Sequence, residues 1–196
     1  MLAQQLSTVN LRLHHVCESL TPELLTGRVA PAANPVGFLL WHMARSQDWG
    51  VNTALRGVDE VARRPPWAGS PLLRTLGMGT GFGPEQVDRI AAELDLEALL
   101  GYADAVHAEV LAWLSSIDES ALDEVPDVAA HTARFPEYQL RAFVEEMDSG
   151  PEHDDAVGRA GGLPAWLLLT SVSVTHLHRH LGEIDLTLGV LTGRAG

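Results

Sequence analysis

Apolar residues in the first stretch of the chain fall at Leu2, Leu6, Val9, Leu13, Val16 and Leu20, at alternating steps of four and three. That spacing lays one narrow stripe along a helix and predicts a helix from about Leu2 to Leu20 with one face on a core. Thr21 and Pro22 then read as a cap and a first-turn proline, whereas Gly27, Pro31 and Pro35 keep the following stretch short and irregular. Asn34 before Pro35 is a stronger start signal, and the segment from Pro35 runs to about Arg56 before Gly57 stops it. Its first half, Val36 to Ala44, is apolar nearly all round, with His42 as its only ionisable residue. A helix of that kind is buried on most sides.

From Val58 to Gly83 the chain is rich in Gly and Pro and carries Trp67, Met78 and Phe82, which fits a long ordered loop or lid. A short helix is expected from Pro84 to Leu94. A third long helix starts near Asp95 and carries Leu99, Ala103, Val106, Val110, Trp113 and Ile117 on one face, with His107 at its border. Pro136 to Met147 reads as another short helix, and Asp148 to Gly162 as an acidic loop. Pro164 opens the last long segment, which runs to about Leu191 and ends at Gly193. No strand pattern or internal repeat interrupts this series. The expected architecture is all-α, a four-helix bundle with long crossover connections, formed by one domain over residues 1–196.

Composition narrows the chemistry more than the fold. The formal charge of −13 argues against a nucleic-acid partner, because affinity for a phosphate backbone comes largely from Lys and Arg. All 13 basic residues are Arg, so Schiff-base chemistry and the lysine of a phosphate-binding loop are excluded. The glycines between Gly77 and Gly83 are therefore read as a lid rather than a phosphate cradle. Cys17 is the one cysteine, which rules out an internal disulfide and a cysteine-based zinc site. Apolar runs are broken by Arg, Asp or His before they could span a bilayer, so a soluble, cytoplasmic protein with no membrane partner is expected.

The last segment carries the chemistry. Leu177, Leu181, Ile184, Leu188 and Leu191 form its core stripe, and immediately beside that stripe run His176, His180 and Glu183. Residues four apart on a helix are neighbours, so the two imidazoles can address one ion, with Glu183 one turn further on. His42, on a different and otherwise apolar helix, is a third candidate ligand. A solvated helix face and a core histidine bonded to backbone are the plain alternatives. His178 should face away; His14, His15, His131 and His153 are read as solvated, and His107 as a histidine at the core border. Gly182 in mid-helix suggests close approach of a neighbouring helix. Trp41 and Trp49 are read as packing residues. Arg45 is read as solvated or ion-paired, and as a catalytic-site residue binding an anionic substrate if the metal site exists.

Three stretches, PVGFLLWHMARSQDW (Pro35 to Trp49), GMGTGF (Gly77 to Phe82) and THLHRHLGEIDLTLGVLTG (Thr175 to Gly193), resemble the DinB-like, or YfiT-like, superfamily. The resemblance covers the helices along most of the chain and implies a four-helix bundle. It also implies a divalent metal held by one His on the second helix and two His spaced by four on the last. Carried over, these are His42, His176 and His180. Leu181, Gly182 and Glu183 follow the last of them where many relatives have Arg, Gly and Gln.

Three neutral imidazoles leave coordination positions open, as in catalytic rather than structural sites. They suit Zn, Ni, Fe or Cu, and Zn or Ni are the expected ions. Several relatives resemble thiol-dependent transferases or isomerases that use mycothiol, bacillithiol or glutathione. The leading expectation is a metal-dependent S-transferase or isomerase with a low-molecular-weight thiol such as mycothiol as cosubstrate, and with Glu183 as an outer partner of a ligand or as a base. Its partners would be a small-molecule substrate and a second copy of the chain in a homodimer. A metal-dependent hydrolase and a non-catalytic metal-binding or interaction bundle remain as alternatives.

Overall fold

The computed structural model describes residues 1–70, 72–73, 77–79, 81–133 and 162–193. Among these residues all regular structure is helical. The N-terminal stripe forms α1 (Leu2–Cys17), which buries Leu6, Val9, Leu13 and Val16. It ends three residues before Leu20, and Thr21 caps a single-turn α2 (Pro22–Leu25) by accepting the amide of Leu24. The next helix, α3 (Val36–Asp48), is buried at every position: Val36 to Ala44 as their apolar character predicts, and the polar Arg45, Ser46, Gln47 and Asp48 as well. Pro35 takes its cap position with no side-chain hydrogen bond, so Asn34 is not the cap that its sequence position suggests.

Two features of the long helices leave no mark in the apolar periodicity. α3 continues into a π-helical stretch, Trp49–Leu55, and the last long segment is built from α7 (Ala165–Thr170), a π-helical stretch Ser171–Thr175 and α8 (His176–Thr192). The two wide stretches pack on each other. Gly50 sits where a Cβ would lie 3.1 Å from the side chain of Val172, so the close helix approach occurs there. Around Gly182, by contrast, none of the described residues lies within 4 Å of a would-be Cβ. Gly193 ends α8 in the left-handed conformation at φ 66°, as a terminal glycine should.

The remaining elements are α4 (Pro84–Glu93), α5 (Leu96–Ser116), capped by Asp95, and α6 (Val128–Ala133). The long segments touch in a closed cycle: α1 packs on α5, α5 on α3, α3 on α8, and α8 back on α1. Trp41, Trp49, Tyr102, Leu40, Leu169, Leu181 and Ile184 are among the fully buried side chains at its centre. Each such apolar side chain contributes on the order of 1.5–3 kcal/mol relative to exposure. The short helix expected at Pro136 to Met147, and all but the last residue of the acidic loop Asp148 to Gly162, lie outside the described residues. Among the described residues no helix is long and apolar enough to cross a membrane.

Candidate metal centre

α3 and α8 bring His42, His176 and His180 to one point. One ring nitrogen of each residue lies within 4.8 Å of those of the other two, and together they could hold a metal ion. The Nε2 atom of His176 is 3.1 Å from Nε2 of His42 and 3.0 Å from Nε2 of His180. The rings meet edge-on, with centroids 4.5 to 5.0 Å apart and interplanar angles of 73° to 89°. His42 and His180 are 6% and 5% exposed, so the cluster is anchored in the core rather than laid on the surface.

Hydrogen bonds fix the tautomer of two of the three rings. Nδ1 of His42 lies 2.5 Å from the carbonyl of Met78, which can only accept, so Nδ1 carries the proton and Nε2 of the neutral ring carries a lone pair. Nδ1 of His180 lies 2.5 Å from a carboxylate oxygen of Glu183, with the same consequence. Both lone pairs face Nε2 of His176, and a guanidinium nitrogen of Arg179 also lies 3.3 Å from Nε2 of His180. Burial, reinforced by His42, His180 and Arg179, pushes the pKa of His176 down to about 2. Imidazoles bound at about 2.0–2.1 Å to one tetrahedral ion have nitrogens about 3.3 Å apart. The two separations from His176 lie within a few tenths of an ångström of that value.

Beside the histidines lies a partly open cleft of about 300 Å³. Asn34, His42, His180, Arg179 and Glu183 contribute its polar lining, Phe38, Phe82 and Val87 its apolar lining, and Gly79 and Gly81 their backbone. The loop carrying these glycines does more than cover the site. Its Met78 carbonyl orients His42, and Gly79, at φ 100°, approaches Phe38 so closely that a Cβ would come within 2.8 Å of the ring. Phe38 in turn stacks on His42, with centroids 5.9 Å apart.

Glu183 is bonded to His180, and its side chain keeps half of its exposure at the cleft. Arg45 is ion-paired, one of the two states in which its sequence position is read. Its guanidinium lies 2.6 Å from the Glu60 carboxylate and donates to the Tyr102 hydroxyl at 3.0 Å, and Arg45, Glu60, Asp48 and Tyr102 are all buried. Asp48 accepts from the Tyr102 hydroxyl at 2.6 Å and from the amides of Val61 and Ala62 at 2.9 Å. Arg45 is thus directed into the core between α3, α5 and the loop, with a long contact of 3.4 Å to the carbonyl of Gly77, and it does not line the cleft.

Of the other histidines, His178 is exposed, His15 is largely exposed, and His107 is half-buried at the edge of the core. His14 is partly exposed and lies 2.7 Å from Asp104. His131 is not solvated as expected: it donates to the Ala54 carbonyl at 3.0 Å and packs over Gly57. His153 lies outside the described residues. Trp41 and Trp49 are fully buried, and the Trp41 indole donates to the Leu72 carbonyl. Two contributors escaped sequence reasoning. Met78 acts through its main chain, which leaves no residue-type signal. Arg179 was legible as a neighbour of Glu183 four residues on, on the face that meets the cleft.

An all-helical protein with two histidines on one helix and a third on a facing helix, set beside a cleft, defines a class of helical proteins able to bind a divalent metal. Residues 5–184 match the family model of the DinB superfamily, and the chain belongs to that superfamily. The fold is similar to that in the crystal structure of a conserved protein from Enterococcus faecalis, with a TM-score of 0.62 at 17% identity over 98% of this chain and 96% of the other. No match was found among curated proteins.

Proposed function

We propose that this protein is a divalent-metal-dependent enzyme, with the ion held by His42, His176 and His180, that transfers or isomerises a small substrate with the help of a low-molecular-weight thiol. The observation that carries the reading is the convergence of two unprotonated Nε2 atoms on a third, at 3.0 and 3.1 Å, at the edge of an open cleft. A bound Zn or Ni ion would supply a Lewis acid that lowers the pKa of a thiol reaching it. The chain's own residues do the rest. Met78 and Glu183 hold the His42 and His180 rings in one tautomer, and Phe38, Phe82 and Val87 keep water from part of the cleft. A volume of about 300 Å³ reaches the range of small-molecule sites and exceeds what one water needs, which supports an organic thiol of mycothiol type as cosubstrate.

The test starts from protein purified without a histidine tag. Elemental analysis should find about one divalent ion per chain, and His180→Ala should lose it. Incubation with mycothiol, bacillithiol or glutathione and an electrophile should give a metal-dependent conjugate or isomer. Turnover that needs no thiol would overturn the transfer reading in favour of hydrolysis, and a metal-free wild type would overturn the metal reading itself.

A further inference from the structure

Two side chains one turn apart on α3 reach successive carbonyls of the same loop. His42 donates through Nδ1 to the carbonyl of Met78 at 2.5 Å, and Nη2 of Arg45 lies 3.4 Å from the carbonyl of Gly77. The turn that aims both carbonyls at one helix runs through Gly77 at φ 77° and Gly79 at φ 100°, a conformation that glycine adopts without a steric penalty. Arg45 is itself held. Its Nη2 lies 2.6 Å from the Glu60 carboxylate, its Nη1 donates to the Tyr102 hydroxyl at 3.0 Å, and that hydroxyl donates to Asp48 at 2.6 Å. Arg45, Asp48, Glu60 and Tyr102 are each at most 1% exposed. A buried ion pair adds little net stability over apolar residues of similar volume. What the guanidinium supplies instead is a rigid fork of donors, able to bond a carboxylate, a hydroxyl and a loop carbonyl together.

We propose that Arg45 is a positioning residue of the metal centre. Braced by Glu60, Tyr102 and Asp48, it holds the Gly77 carbonyl, and so keeps the Met78 carbonyl where it fixes the His42 ring with its proton on Nδ1 and its Nε2 toward His176. The purpose of this device rests on the metal reading above. Arg45 does not line the cleft and acts only through two main-chain carbonyls. Hydrogen bonds of this kind orient the histidine ligands of metal sites. Here the orienting group belongs to a loop, which is less precise than a helix unless something rigid stands behind it. The buried network between α3, α5 and the loop is that support.

The experiment compares full-length wild type with Arg45→Met combined with Glu60→Leu, which removes both charges and so separates positioning from the penalty of an unpaired buried ion. In metal-free protein, long-range correlation of imidazole protons and nitrogens by NMR should show wild-type His42 as the single Nδ1-protonated tautomer, and the double variant as a mixture of both. Competition titration with cobalt should give an affinity lower by about tenfold, with a shifted visible absorption band. Tyr102→Phe keeps the ion pair, loses the hydroxyl that braces Arg45, and should move the same readouts less, by about threefold in affinity. It serves also if the double variant does not fold. A wild-type His42 tautomer together with wild-type cobalt affinity in the folded variants would overturn the proposal while leaving the metal centre standing. So would an affinity loss that follows the urea midpoint while the tautomer stays fixed, since that is a structural role alone. A wild type that takes up no cobalt would overturn the metal reading and this proposal together.

Discussion

The Nδ1 atom of His42 donates to the main-chain carbonyl of Met78 at 2.5 Å, so a loop residue with no chemistry of its own decides which nitrogen of a core histidine faces the cleft. The bond depends on the turn through Gly79, whose φ of 100° no other residue type adopts readily. Gly79→Ala should shift this turn, because its Cβ would meet Phe38 and Trp41 at 2.8 and 2.9 Å. The expected outcome is a metal affinity lowered by about 10- to 100-fold with helix content intact. A metal competition titration run alongside far-ultraviolet circular dichroism checks it, and unchanged affinity would show that Met78 does not tune His42.

Glu183 holds the corresponding proton of His180. In Glu183→Gln the amide can still accept that proton but without the negative charge, so affinity should fall by about tenfold or more, and Glu183→Ala should lose more. Equal affinities in wild type, Gln and Ala variants would remove Glu183 from the site. Isothermal titration of metal-free protein with zinc reads all three.

Arg45 and Glu60 form a fully buried pair at 2.6 Å. Arg45→Ala leaves the Glu60 carboxylate in the core without its main counter-charge, at an expected cost of about 3–5 kcal/mol. Arg45→Met combined with Glu60→Leu removes both charges and should recover much of that loss. Urea unfolding midpoints measure the difference. A mild effect of Arg45→Ala on stability joined to a large effect on substrate binding would return Arg45 to the cleft.

Glu109 gives the fold a defined acid response. Burial pushes its carboxyl up, but hydrogen bonds and charges from Arg64 and Arg56, each at 3.1 Å, outweigh this and hold its pKa below the usual value of 4.5. The folded pKa is depressed, so the stabilisation is present above about pH 4.5 and is lost as pH falls through the folded value. The stability difference between wild type and Glu109→Gln should therefore shrink on acidification below that point. A difference that is constant from neutral to strongly acidic pH would contradict the Arg56–Glu109–Arg64 clamp.

Much of the scaffold was legible because burial follows apolar spacing. Leu6, Val9, Leu13 and Val16 on α1, and Leu99, Ala103, Val106 and Val110 on α5, are buried as their periodicity predicts. The histidine trio was legible for a similar reason: a spacing of four fixes two side chains on one face, and an unbroken apolar helix leaves His42 no solvent to face. Arg45 was read as solvated or ion-paired, and the buried pair is the second of these. Its partners Glu60 and Tyr102 come from distant parts of the chain that only the fold unites. Gly182 and Gly50 show the same limit, since both are helical glycines and only one of them meets a neighbour among the described residues.

The widened turn at Ser171–Thr175 sets the rotational phase of everything after it. Such a turn accommodates one extra residue, and one residue is worth about 100° around a helix axis. The residues of α7 and those of α8 can therefore both point inward although no single straight wheel would let them. Chelating geometry in this fold is consequently encoded as a count of residues as well as by their identity. Gain or loss of one amino acid inside that turn would swing His176 and His180 out of line with His42 while every histidine remained in the chain.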